Sequence, residues 1–245
     1  MTRYRFIAST ALLAVLALVS VAAAPAATPV VKIRGSISPS RRLVPGTPLS
    51  FRLDTLFTSR PLGADLVLQR LDYLFPHDAV VNGRLFPSCD AAALQRAHGR
   101  LGVCPTGSRI GGGFATGTAV AIGVTSRAAV TLFNGPGGRS ITMNVSIVTP
   151  ALINTTFSSP LVTLRGGPYA NRLTIVLPDS LKSILDGDIV TSRIDVTTGA
   201  TRVVHGVRRG YIEAQHCPRN GKAHVHGDFT FSQGATASAD TMVVC

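Results

Sequence analysis

The feature of this chain that most constrains its fold is an alternation of apolar and polar side chains with a period of two residues. Successive residues of a strand point to opposite faces, so this period is typical of a strand with one buried face. Loops rich in proline and glycine interrupt the pattern about every ten residues. The pattern predicts strands at residues 31–37, 49–54, 66–75, 120–124, 130–132, 141–147, 173–177, 189–196, 211–216 and 229–231.

Short strands at this spacing predict an all-β fold, which we expect to be an antiparallel, β-sandwich-like domain. The segment Asn134–Gly138 (NGPGG) is a strong hairpin signal, because Asn and Gly accept positive φ. One short helix is predicted near residues 89–98, with Ser88 or Asp90 as its cap and Gly99 at its end. A second helical turn is predicted at residues 180–185.

The N-terminal residues 1–26 have the three-part pattern of a secretory signal peptide. Arg3 and Arg5 precede an apolar run, and small residues follow it. Cleavage is expected after Ala23 or Ala26, which leaves residues 27–245 as a secreted β-rich domain. This domain is either a single unit or two sub-domains that meet near residue 150.

A later segment, residues 140–164, contains no charged residue. Two prolines and many Ser, Thr and Asn side chains make it unsuitable as a membrane helix. We therefore expect paired strands with uncharged faces, and no transmembrane segment after the signal peptide is removed.

The four cysteines, Cys89, Cys104, Cys217 and Cys245, are an even set in a chain predicted to be exported. Disulfides are the expected state in an oxidising compartment, and no C-x-x-C pair favours zinc. Four cysteines allow three pairings. Proximity in the sequence favours Cys89–Cys104 and Cys217–Cys245.

The chain is basic, with 24 Lys and Arg against 12 Asp and Glu. It lacks Trp, and its aromatics are only 6% of residues, so specific nucleic-acid binding is not predicted. One segment concentrates the charge around a single acid, Glu213. Its members are candidates for contact with anionic envelope polymers or lipid headgroups: Arg202, Arg208, Arg209, Arg219 and Lys222. The alternative is an ordinary solvated basic face.

His224 and His226 are the sharpest polar feature. On a strand, residues i and i+2 share a face, so both imidazoles could bind one metal. His205, His216 or Asp228 could supply a third ligand. The alternative is a pair of exposed strand histidines, and no cofactor is predicted.

Other motifs indicate no reaction. The glycines of residues 111–117 precede β-type residues instead of a helix, so a turn or bulge is favoured over a phosphate cradle. Residues 186–188 (DGD) have too few acids for a calcium loop and favour a turn. No carboxylate pair stands out for glycoside hydrolysis, and G-x-S-x-G does not occur.

Residues 86–113, FPSCDAAALQRAHGRLGVCPTGSRIGGG, resemble a family of secreted β-rich proteins from high-GC actinobacteria. The resemblance rests first on residues of this region: Pro87, Cys89, Cys104, Pro105, Ser108, Ile110, Gly111 and Gly113. Tyr169, residues 173–178, Cys217 and Cys245 are also similar, whereas Lys222 stands where family members often carry an aromatic. The resemblance implies a β-rich extracellular fold and no particular activity.

Three functions are therefore considered. The first is a non-enzymatic extracellular protein that acts in envelope binding or structure. The second is a secreted zinc-dependent hydrolase that uses His224 and His226. The third is a carrier of lipid or another small ligand in a cavity of the β fold, which the uncharged segment 140–164 suggests.

Overall fold

A computed structural model of the protein describes residues 27–40, 43–184 and 187–245. The predicted signal peptide, residues 1–26, lies outside the described residues. The chain is all-β and antiparallel, as predicted. The strands of the described residues are β1 (Thr28–Ser38), β2 (Pro48–Arg60), β3 (Leu68–Pro76), β4 (Ala79–Val81), β5 (Arg109–Ala119), β6 (Val124–Asn134), β7 (Ser140–Ile147), β8 (Ile153–Thr163), β9 (Tyr169–Val176), β10 (Ser183–Ile184), β11 (Gly187–Thr198), β12 (Thr201–Val204), β13 (Val207–Gly210), β14 (Ile212–Ala214), β15 (Lys222–Phe231) and β16 (Thr236–Val244).

Most of the strands belong to one continuous sheet. Its order is β16-β15-β3-β9-β8-β7-β6-β5-β11-β2-β14-β4, with β1 paired to β2 and β10 paired to β11. Strands β12 and β13 form a separate hairpin. The uncharged segment forms the pair β7–β8, as predicted, and residue 150 lies in the loop that joins them.

The sheet curls until β1 contacts β16. The backbone N–H of Gly35 on β1 donates a hydrogen bond to the Thr241 hydroxyl on β16, over 3.3 Å. A β-carbon at Gly35 would lie 2.7 Å from a methyl group of Val243. Glycine is therefore required here, because any side chain would push the two strands apart.

Opposite walls of the curled sheet pack face to face, as in a sandwich. Phe57 on β2 makes an edge-to-face contact with Phe229 on β15, with ring centroids 5.5 Å apart. The Tyr73 hydroxyl on β3 bonds the Thr55 hydroxyl on β2 over 2.8 Å. The inward side chains, which include Leu68 and Leu71, are almost completely buried.

One α-helix, α1 (Ala91–Arg96), occurs among the described residues, within the predicted range. The Asp90 side chain caps it by accepting a hydrogen bond from the Ala93 N–H over 3.1 Å. Gly99 follows with a φ of 71°. Near the second predicted turn, a short 3-10 helix spans Asp179–Leu181.

Both predicted disulfides are confirmed. Cys89 bonds Cys104 around α1, and Cys217 bonds Cys245. The second bond joins the segment before β15 to the residue after β16. It therefore fastens the outermost hairpin of the sheet at its open end.

The structure corrects the expectation for residues 120–124 and bears out the bulge that was favoured at the glycines of residues 111–117. The alternation at residues 120–124 predicted a strand, but Val120–Ile122 forms a 3-10 turn, because Gly123 takes the left-handed conformation with a φ of 64°. The glycines that begin at Gly111 lie inside a strand, β5, after a bulge in its pairing with β6. They therefore do not precede a helix and do not form a phosphate cradle.

Candidate functional site

The interior of the curled sheet encloses an apolar cavity with a volume of about 260 Å³. Side chains from both ends of β11 line it, since Ile189 and Thr198 are both part of its wall. Nine residues separate these two, which corresponds to about 30 Å along a strand. The cavity therefore extends along most of the length of β11.

The wall of the cavity comes from the inward positions of the alternating strands. The uncharged strands β7 and β8 contribute apolar side chains here: Ile141, Met143, Val145, Ile147, Phe157 and Leu161. Phe51 and Phe75 close part of the wall with an edge-to-face contact at 5.7 Å. No Lys or Arg lines the cavity within the described residues. Such a surface favours the binding of apolar groups and disfavours the burial of charged groups.

One end of the cavity is apolar. Pro150 and Ile184 line it there, close to the loops β5–β6 and β7–β8. A hydrogen bond from the Ser126 hydroxyl to the Thr149 carbonyl connects the start of β6 to the β7–β8 loop. The exposed side chains of the β5–β6 and β7–β8 loops include four large hydrophobic ones: Val120, Ile122, Val148 and Leu152. We call this region the apolar end.

The opposite end carries polar groups, and we call it the polar end. Asp78, Tyr211 and His216 all line the cavity there. The His216 Nε2 and Asp78 Oδ1 atoms are 2.7 Å apart, and His216 is exposed. Burial raises the pKa of Asp78, against the opposing effect of His216 and His77. The contact between His216 and Asp78 therefore marks where the cavity approaches solvent.

Tyr211 is the buried polar residue of this end. It is 1% exposed, and its ring packs edge-on against Phe86 at 5.4 Å. Its hydroxyl makes no hydrogen bond within the described structure. Burial raises the pKa of Tyr211 well above its ordinary value, so the phenol stays neutral. No sequence pattern predicted this residue.

The histidine pair lies elsewhere, on the outer face of β15. His226 Nδ1 lies 2.7 Å from Asp240 Oδ1, and His226 Nε2 lies 3.1 Å from Asp228 Oδ1. His224 Nε2 lies 2.8 Å from the same Asp240 oxygen, and its Nδ1 lies 3.1 Å from the Tyr169 hydroxyl. The structure thus brings His224, His226 and Asp228 together, with Asp240 in addition.

The electrostatics of this cluster are those of paired charges. Burial disfavours the protonated imidazole of His226, but the hydrogen bonds to Asp240 and Asp228 outweigh it and raise its pKa. The bond from His226 lowers the pKa of Asp240. Of the other proposed ligands, His216 pairs with Asp78, and His205 lies in the turn between β12 and β13.

No group of three or more metal-ligating side chains in the described parts of the chain is arranged to hold a metal ion. For the calcium alternative, Asp186 lies outside the described residues, and Gly187 and Asp188 begin β11.

The members of the basic segment have different environments. Arg209 forms a bidentate pair with the buried Glu213, with both N–O distances 2.9 Å. Arg202 donates to the Leu85 carbonyl, whereas Arg208 makes a long 3.4 Å bond to Thr201. The last two members, Arg219 and Lys222, are exposed. The guanidinium of Arg209 is therefore engaged within the protein.

The chain matches no protein-family model, and no curated protein matches it either. The resemblance to secreted actinobacterial proteins therefore stays a prediction. No helix of the described residues is long and apolar enough to span a membrane.

Proposed function

We propose that the protein is an extracellular binding protein that holds an apolar, chain-like small molecule inside its curled sheet. The observation that carries the proposal is the long apolar cavity of about 260 Å³. An apolar cavity of roughly 150 Å³ already accommodates benzene, so this volume admits a larger guest. Its length favours an alkyl or acyl chain over a compact ring system.

Residual space of this size destabilises an empty protein, because the side chains around it lose packing contacts. A bound apolar chain would restore those contacts and bury its own surface, at about 25 cal/mol per Å². The exposed hydrophobic side chains of the apolar end provide a surface along which such a chain could enter. Extracellular placement rests on the signal-peptide pattern of residues 1–26 and is compatible with the two disulfides.

The other sequence hypotheses have less support. A zinc-dependent hydrolase would need the nitrogens of His224 and His226, and both nitrogens of His226 are bonded to carboxylates. Binding of envelope polymers would draw on the basic segment, where Arg209 is already paired with Glu213.

Two neighbouring alanines of β6 allow a matched test of the proposal. Ala128 points inward and lines the cavity, whereas Ala129 is exposed on the outer face. The probe is diphenylhexatriene, a linear uncharged dye that fluoresces in apolar surroundings. We expect the parent protein and A129L to bind it, and A128L to bind it at least tenfold more weakly.

Filling a cavity usually stabilises a protein, so A128L should unfold at the same temperature as the parent or higher. A parent protein that gives no fluorescence increase with the dye would refute the proposal. Equal binding by A128L and the parent would refute it as well, because the dye would then occupy another surface.

A further inference from the structure

The unbonded hydroxyl of Tyr211 indicates which polar group a molecule in the cavity would carry at its polar end. Two buried side-chain atoms of the described residues have no hydrogen-bond partner, the Tyr211 hydroxyl and Asn134 Oδ1. Of these two residues, only Tyr211 lines the cavity. A buried hydroxyl without a partner is unfavourable, so such groups are rarely left unpaired in folded proteins.

The other tyrosine of the wall provides a contrast. Tyr73 also lines the cavity and is 3% exposed, yet its hydroxyl is bonded to Thr55 at 2.8 Å. Packing in this protein therefore can satisfy a buried phenol where no ligand is required. At Tyr211 the described residues supply no such partner, and a guest whose oxygen reaches the hydroxyl from the cavity would supply it.

The charges at the polar end determine which head group fits. Asp78 is a carboxyl group in the wall, and its partner His216 is largely turned to solvent. In the described structure no Lys or Arg lines the cavity to balance a buried anion. A buried charge without a partner is very unfavourable, whereas a neutral phenol donates well to an uncharged oxygen.

We propose that the ligand is an uncharged amphiphile, whose alkyl chain fills the cavity and whose hydroxyl, carbonyl or ester oxygen accepts a hydrogen bond from Tyr211. This inference rests on the proposed function and specifies its ligand class. It selects neutral lipids over fatty-acid anions, although both carry the same chain.

Three probes of ten carbons separate these ligands: decan-1-ol, decane and decanoate at pH 8. Their affinities are measured by displacement of diphenylhexatriene from the parent, Y211F and Y169F. One hydrogen bond contributes about 0.5–1.5 kcal/mol, which corresponds to a factor of roughly 2 to 12 in Kd. We expect Y211F to lose about that factor for decan-1-ol and nothing for decane.

Y169F is the matched control, because it removes a hydroxyl that lies outside the cavity wall and is bonded to His224 at 3.1 Å. It should leave the affinity for decan-1-ol unchanged. Y211F should melt no lower than the parent. Decanoate should bind more weakly than decan-1-ol.

The inference is overturned if Y211F binds decan-1-ol as tightly as the parent, or if decanoate binds more tightly than the alcohol. Either result leaves the cavity proposal standing, because the probes still bind. If none of the three probes displaces the dye, and the dye itself does not bind, the proposed function fails together with this inference.

Discussion

Glu213 offers a sharp test of how the polar end is held together. It is the single glutamate of the sequence and is 1% exposed. It accepts two hydrogen bonds from Arg209, both at 2.9 Å, and one from the Gly210 N–H at 2.8 Å. These bonds fix the turn between β13 and β14 next to Tyr211.

Replacing Glu213 with Gln keeps the shape of the side chain and removes its charge. Loss of one partner of a buried ion pair costs about 3–5 kcal/mol, and the cost falls when the other partner is partly solvated. Arg209 is 39% exposed, so we expect about 2–3 kcal/mol. For a chain of this length that corresponds to a decrease of roughly 4–12 °C in melting temperature.

The pH dependence of the melting temperature is a second readout. Burial would raise the pKa of Glu213, but the bonds from Arg209 and Gly210 outweigh it and lower that pKa. A carboxylate with a lowered pKa stabilises the fold above its ordinary pKa of about 4.3. That stabilisation is lost as the pH falls through the pKa of the folded state. E213Q should lack this acid step.

The control is D179N, which removes the ion pair between Asp179 and Lys182. This pair is chosen because the Asp179 side chain is 94% exposed. Exposed pairs contribute little, so D179N should melt like the parent. The reasoning is refuted if E213Q also melts within 1 °C of the parent, or if its stability keeps the acid step of the parent.

Three further outcomes are expected. Serine at both Cys217 and Cys245 opens a loop of 29 residues and should destabilise the fold by about 3.6 kcal/mol relative to the oxidised parent, measured by chemical denaturation; the reduced parent, which also loses Cys89–Cys104, should be destabilised further. The pKa of His226 is raised, so its pairs with Asp240 and Asp228 stabilise the fold below pH about 6.5. This stabilisation is lost as the pH rises through the raised pKa. In an NMR titration D240N should lower the pKa of His226, and an unchanged value would contradict the assignment. G113A should lower the melting temperature, because a β-carbon there collides with the Asp195 carbonyl oxygen of β11, whereas G102A, which has open space around it, should not.

The fold class could be predicted from the sequence because most strands have one buried face and therefore show the period of two. Strand β5 escaped prediction because its glycines carry no side chains to show that period. They are required by the close approach of β11, which the sequence does not show. The order of the strands in the sheet could not be predicted from the sequence either. Strand β3 lies between β9 and β15, and such partners are chosen by tertiary packing.

The candidate site was predicted only in part. The uncharged segment 140–164 indicated an apolar wall, because an inward face without charges has to meet other apolar residues. Tyr211 could not be recognised, since an unbonded hydroxyl is a property of its packed surroundings. His224 and His226 were correctly placed on one face of a strand. Their carboxylate partner Asp240 comes from the neighbouring strand, and local spacing does not reveal it.

The contact between β1 and β16 also determines when the protein can finish folding. Strand β1 can contact β16 only after residues 236–244 have been synthesised. In the same way, β2 can pair with β11 only after residues 187–198 have been synthesised. Pairings so distant in sequence require large loops to close, which slows folding. The cavity therefore gains its last wall late, after residues 236–244 have been synthesised. Until then the apolar faces of the central strands are open to water and to other chains, so assistance from a chaperone would be most valuable at this stage.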